Sequence, residues 1–498
     1  MKHTLRILIA VLALLGLCAA FAGCGAEPAP TTDPNQDVLE FALAASDAAE
    51  LAVLDQYPNL RKADLTGSTC YDAILAYIAA HPQVEVQYDV AIGNGRYHAG
   101  HISIELQSGC YTFDELLQNL KYLPLLTELK LPGTNLTAAE LAALREAYPA
   151  ISMSYTLDFL GAELDASVTE LDLSELEPGQ VADAAALLPL LPNLTDIQLM
   201  KDGASKLSMT DVKQLMDAAP GATIHYTFDL FGQTVSTTDE RVEFVRTYIG
   251  NEGIDTIRQA LDILPKCTYF KMDRCEVDNE VMAQLREDYP DTKIVWRVFF
   301  AFYNCLTDVE MLHCTNKLDD KNVEVLKYCN DVLYLDIGHN TDLSNLTFVN
   351  YMPKLKIAIV VDCATPDIEP FGNCPDLEWL EIVNCRKVTD LSPLANCTKL
   401  KGLNMSAVYG IKDLTPLFGL QNMERLYLGH TSVTNEHYRE AKEALPNCWV
   451  SNTHYSASNV SYNYAIGWRL DENGERAEWY KEVRRIFRYD EDYYNHDD

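Results

Sequence analysis

The sequence predicts an α/β solenoid, in which one long parallel sheet is backed on its other side by helices and short helical turns. Three observations carry that prediction. From Val332 to Thr431 the chain reads VLYLDIGHN, LKIAIVVDC, LEWLEIVNC, LKGLNMSAV and MERLYLGHT, whose first residues are spaced 23, 22, 23 and 23 apart. Each segment keeps apolar residues at its first, fourth and sixth positions, and Asn340, Cys363 and Cys385 stand at the ninth. Behind the strands recur DLSNL (342–346), DIEPF (367–371), DLSPL (390–394) and DLTPL (413–417). A period near 23 is the mark of stacked repeats, because one short strand cannot bury its own apolar face and needs its neighbours to do so. An amide at the ninth position can bond the backbone of the next turn, and a thiol fills the same slot as a small apolar group. Asp, Ser and Thr cap short helical turns and Pro suits their first residues, so the return leg of each coil is brief.

The pattern L-x-x-L-x-L-x-x-[N/C] is the leucine-rich repeat signature, and these turns resemble the internalin-type repeat proteins of bacterial surfaces. That resemblance implies a right-handed solenoid acting as a non-catalytic recognition scaffold, gripping partners with its parallel strand face.

The leader comes first. Lys2 and Arg6 precede an apolar run from Ile7 to Phe21, which reads as a signal peptide over 1–23. Phe21-Ala22-Gly23-Cys24 resembles a bacterial lipobox, which implies a lipid on Cys24 and a protein anchored to the cell membrane. Cleavage after Ala20-Phe21-Ala22, releasing a secreted protein, is the competing route. The sequel GAEPAPTTDPNQ favours the tether (24–37), being rich in Ala, Pro and Thr without apolar periodicity.

Over 38–325 the repeats take a longer form. First-type strands start near Val38, His101, Val168, Asp239 and Leu306, and second-type strands at Leu60, Leu126, Leu194 and Cys267. The supermodule is therefore about 70 residues long, with helices that end at Pro82, Pro149, Pro220 and Pro290. Each supermodule holds one strand longer than a repeat needs: 84–95, 151–161, 223–232 and 293–304. These overruns predict extended arms or hairpins, with a tolerated loop insertion as the equal alternative. Compact turns follow over 326–453. Residues 454–498 read as a C-terminal cap and frayed tail, with an Asn-Gly hairpin in 471–475 and an amphipathic helix over 477–489. GWR (467–469) resembles terminal segments of gut-bacterial repeat lipoproteins, in keeping with a Gram-positive surface protein.

Composition narrows the function classes. Net charge is −34, and −36 once the two cations of the leader are gone, which argues against nucleic-acid binding and against adsorption to anionic lipid. Of fourteen cysteines, ten lie between Cys267 and Cys448, and Cys275, Cys314, Cys363 and Cys385 share the ninth position of the repeat. Such recurrence reads as reduced core thiols ahead of disulfides or a metal site, since no C-x-x-C pair exists. No catalytic motif and no cofactor-binding motif is present.

The outward positions of the compact strands supply the candidate ligand-binding residues: Tyr334, Asp336, Ile359, Trp379, Glu381 and Tyr427, with His339 and His430 at the edge. Exposed Trp, Tyr and Ile in one strip mark partner contact, or else a surface that the cap or an arm covers. On the first reading, replacing Trp379 and Tyr427 by Ala weakens capture and leaves the fold intact. The expected partner is an extracellular protein, peptide or glycan, basic or neutral in charge, bound by a monomer whose only membrane contact is its lipid. The rivals are a structural envelope protein without a discrete ligand, and an enzyme with its site on the arms or cap.

Overall fold

The computed structural model describes residues 38–452, 469, 473 and 475–491, so the leader, Cys24, the tether and most of the Asn-Gly hairpin lie outside the described residues. The chain divides into two compact units, one up to Ser167 and one from Val168.

In the first unit, Glu40–Ala42, Lys62–Asp64 and Glu85–Gln87 pair in parallel, and Ser103–Glu105, Glu128–Leu131 and Ser152–Phe159 repeat the arrangement. The second unit opens the same way, with Glu170–Asp172, Asp196–Gln198 and Thr223–His225, then Arg241–Val245, Tyr269–Asp273 and Lys293–Phe300. The parallel sheet is thus built in segments of three strands in each long-module region. Each segment ends where the overrun falls: the chain turns back on itself and forms an antiparallel hairpin. The four hairpins pair Asp89–Ile92 with Gly95–His98, Thr156–Phe159 with 162–165, Thr227–Leu230 with Gln233–Ser236, and Arg297–Phe300 with Tyr303–Leu306. Pairing with its own continuation satisfies the backbone of a strand that has outrun its neighbours. Two hairpins turn on Leu160-Gly161 and Phe231-Gly232, all four residues at positive φ, the geometry a two-residue turn needs to match strand twist. Val90 and Ile92, Leu157 and Phe159, Phe228 and Leu230, and Val298 and Phe300 are buried, so each hairpin packs one face down.

Helices Tyr71–Ala80, Ala138–Ala147, Met209–Ala218 and Asn279–Asp288 lead into the overruns. Thr137 with Glu140, and Ser208 with Asp211, form the reciprocal capping boxes that satisfy orphan amides at the helix start.

From Met311 a leucine-rich repeat array of seven parallel strands runs without interruption: Met311–His313, Tyr334–Asp336, Ile357–Ile359, Trp379–Glu381, Gly402–Asn404, Arg425–Tyr427 and Trp449–Ser451. In register across it lie Leu312, Leu335, Ala358, Leu380, Leu403, Leu426 and Val450, a buried row that the 23-residue period dictates. The return legs are 3-10 turns such as Ser392–Asn396 and Thr415–Leu417, with Asp390 Oδ1 accepting from Ser392 N and Asp413 Oδ1 from Thr415 N, both at 2.8 Å.

The ninth-position residues do what their chemistry predicts. Asn340 Nδ2 donates to the carbonyls of Cys314 (2.9 Å) and Ile337 (2.8 Å), and its Oδ1 accepts from Leu318 N (2.8 Å). Asn340→Ala would strand three buried backbone groups, with an expected cost of about 2–3 kcal/mol measured by denaturant unfolding. Where cysteine takes the slot, Cys363 and Cys385 Sγ donate to the carbonyls of Ile337 and Val360 at 3.3 and 2.8 Å. Burial pushes the Cys385 thiol up to about 12 and that of Cys275 up to about 11, which withholds the reactive thiolate. A thiol-reactive dye added to the native protein should therefore label exposed Cys110 first and reach Cys385 only on unfolding, as peptide mapping would show.

Candidate functional site

Two rows of side chains stand on the outer face of the seven-stranded sheet. The row at the third residue of each strand is His313, Asp336, Ile359, Glu381, Asn404, Tyr427 and Ser451, and all seven are buried. What buries the middle of the face is the chain's own C-terminal helix, Glu478–Ile486, with the turn after it. Tyr480, Val483 and Phe487 form one apolar cluster with Ile357 and Ile359, bordered by Met311, Tyr334, Val361 and Trp379. The Trp479 ring stacks on Trp379 with centroids 4.4 Å apart and planes 5° apart. Gly402 makes that pair possible: a Cβ there would sit 1.8 Å from the Trp379 ring. Strand register puts this glycine, and not Lys401, opposite Trp379.

Polar side chains complete the docking. Arg469 Nη2 donates to Glu381 Oε2 at 2.9 Å, and the Tyr489 hydroxyl donates to the Asp336 carboxylate. Asp336 Oδ1 also accepts from Gly338 N (3.0 Å), and His313 Nε2 lies 3.7 Å from Oδ2. Burial pushes the Asp336 carboxyl above its ordinary value against the pull of these donors. The Tyr489 phenol is pushed far up, first by burial and then by the carboxylate beside it.

Beyond the strands the backbone turns through the left-handed region once per coil, at His339, Asp362, Asn384, Ala407 and His430 (φ 56–61°). Asn, Asp and His tolerate this conformation better than other non-glycine residues, which explains four of the five. Their side chains form a ladder: His339 Nδ1 lies 2.7 Å from Asp362 Oδ2, Asn384 Nδ2 donates to Asp362 Oδ1, and Arg386 Nε donates to Asn384 Oδ1 at 2.7 Å. This ladder and the C-terminal segment enclose an open recess of about 900 Å³, floored by Val361 and Val383 and flanked by Arg386, Tyr409, Arg469 and Tyr489.

The candidate residues divide accordingly. Asp336, His339, Ile359, Tyr427 and His430 line the recess, whereas Tyr334 and Trp379 pack on the helix and Glu381 pairs with Arg469. Tyr427 is fully buried and stacks on Trp449, with centroids 6.0 Å apart. Replacing Trp379 and Tyr427 by Ala therefore removes packed side chains and is expected to destabilise the fold, which corrects the expectation that it would be left intact. Asp362, Asn384, Arg386 and Tyr409 went unnoticed in the strip. For Asp362 and Asn384 the signal was an Asn, Asp or His at the eighth position of four of the five turns, the signature of a left-handed backbone; Arg386 and Tyr409, two residues further on, carry no such signal.

No family model matches the chain, and no curated protein matches it. Among solved structures it is similar to an internalin (InlF) of Listeria monocytogenes, at 16% identity over 71% of this chain and 82% of that one, with a TM-score of 0.27. A leucine-rich repeat protein of Leptospira interrogans is 13% identical over 80% and 91%, with a TM-score of 0.27. The functional domain of InlJ from Listeria monocytogenes is 12% identical over 76% and 67%, with a TM-score of 0.25. Among the described residues, no helix is long and apolar enough to cross a membrane.

Proposed function

We propose that the chain is a non-catalytic recognition protein outside the cell, anchored through a lipid on Cys24, which takes a protein, peptide or glycan in the recess at the strand ends. The observation that carries this reading is the recess itself. Its side chains come from six successive coils, it stays open, and its rim holds exposed His339, Arg386 and Tyr409. The flat centre of the strand face is occupied by the chain's own helix, so a partner has the recess left to it. Planar polar groups around an apolar floor are what binding pockets use to orient a ligand.

Probing glycan and peptide arrays with the full mature chain and with a His339→Ala/Tyr409→Ala variant tests the reading. Signal lost in a variant of unchanged Tm supports it; no signal from either protein, or equal signal from both, rejects it. Anchoring is separately testable, since incorporation of labelled fatty acid should vanish in Cys24→Ser.

A further inference from the structure

Charge pairing inside the recess leaves one group over. Asp336 accepts from Tyr489 and Gly338, and Arg469 is spent on Glu381. Both oxygens of Asp362 are taken, one by His339 and the other by Asn384. Arg386 differs. Its Nε is held by Asn384 at 2.7 Å, and among the described residues neither terminal nitrogen has an acceptor or a carboxylate within ion-pair distance. Fixing Nε orients the guanidinium plane and leaves the two terminal nitrogens for an external acceptor. Tyr409, 50% exposed, lies alongside with its ring centre 5.9 Å away.

From this we infer that the recess binds a ligand carrying a single carboxylate on an apolar body, with Arg386 as the anchor for the carboxylate. The inference rests on the recess being the binding site. A guanidinium fork matches a carboxylate with two parallel hydrogen bonds, which no amide or hydroxyl reproduces. The body of the ligand has a matching surface in half-buried Val361, Val383 and Ala407. Ala407 is the one apolar residue in the left-handed row from His339 to His430, so the polar ladder is interrupted where the floor needs to be apolar. A chain of net charge −34 repels polyanions at long range, whereas one carboxylate can be met by one local cation. The same chemistry occurs at the C-terminus of a peptide with an apolar last residue and in a free aliphatic or aryl acid.

Calorimetric titration of the full mature chain separates these sources. One arm uses hexapeptides ending in Leu or Phe, as free acids and as C-terminal amides. The other uses octanoate and 3-phenylpropionate beside octanamide and 3-phenylpropionamide. In at least one arm the acid should bind about ten-fold or more tighter than its amide. Arg386→Gln should abolish that difference, and Arg386→Lys should keep part of it, with Tm unchanged because the side chain is exposed. Preference confined to the peptide arm identifies a chain terminus as the ligand group, and preference confined to the other arm a free acid. Equal binding of acids and amides, or a preference that survives Arg386→Gln, overturns the inference and spares the recess as a site. No binding by any probe overturns the inference; the arrays decide separately whether the recess binds anything.

Discussion

Asp273→Ala is expected to lower the stability of the second unit by about 3–5 kcal/mol, because it leaves a buried guanidinium without its counter-ion. Arg297 Nε and Nη2 donate to Asp273 Oδ1 and Oδ2 at 2.7 and 2.9 Å, and both side chains are about nine-tenths buried. The pair ties the fourth hairpin to the strand Tyr269–Asp273, and Asn304 accepts from Arg297 Nη1 at 2.5 Å across the hairpin. Denaturant unfolding followed by hydrogen exchange over 293–306 would register the loss. Unchanged protection there would show that the hairpin is held by its apolar face alone. Removing both charges, as Asp273→Ala with Arg297→Met, should cost much less than either single change. The same pair sets a pH dependence. Burial raises the Asp273 carboxyl, but the bonds from Arg297 outweigh it and hold the folded value below the ordinary one. A depressed carboxyl contributes stability above its unfolded pKa and loses it as pH falls through the folded value. Wild-type stability should accordingly drop on acidification, with less dependence in the double variant.

Phe487→Ala is the second large effect, about 3–5 kcal/mol, from a fully buried ring that meets Tyr480, Val483 and the isoleucines of the sheet. The loss falls on docking of the helix Glu478–Ile486 more than on the sheet, whose own row of leucines is untouched. Hydrogen exchange should therefore speed up over 478–486, and tryptophan emission should shift to the red as Trp379 and Trp479 meet water. An intact stack with protected helix amides would reject this account. Asp336 gives the docking a pH dependence of the opposite sign to Asp273. Its carboxyl is raised by burial, so its contribution is full below the unfolded pKa and is lost as pH rises through the folded value. Helix protection should increase from neutral to mildly acidic pH, and Asp336→Asn should flatten that trend.

The two pairs show why legibility was uneven. Leu335, Leu380, Leu403 and Leu426 could be placed in a stacked row from spacing alone, since every coil repeats the same burial problem at the same position. Asn340 and the cysteines of the ninth slot were legible for the same reason. The overruns were visible as strands too long for their repeat, and hairpins are the economical way to satisfy such a strand. The alternation of the strands was enough to propose a strip of outward residues. Its state was not legible, because Trp379 facing outward from a sheet reads alike whether a partner or Trp479 covers it. The acidity of the whole chain pointed to a basic or neutral partner, while pairing within the recess leaves a cation and points to an anionic group.

Periodic spacing by itself determined the parallel strands, their buried rows and the capped turns between them, since these follow from forces acting within one coil and its neighbours. The tertiary structure alone decided which part of the strand face is closed and which is open. The contacts that close it join Tyr489 to Asp336 across 153 residues and Arg469 to Glu381 across 88. Pairings at such separations occur once and leave no period in the chain, so they appear only when the folded surfaces meet.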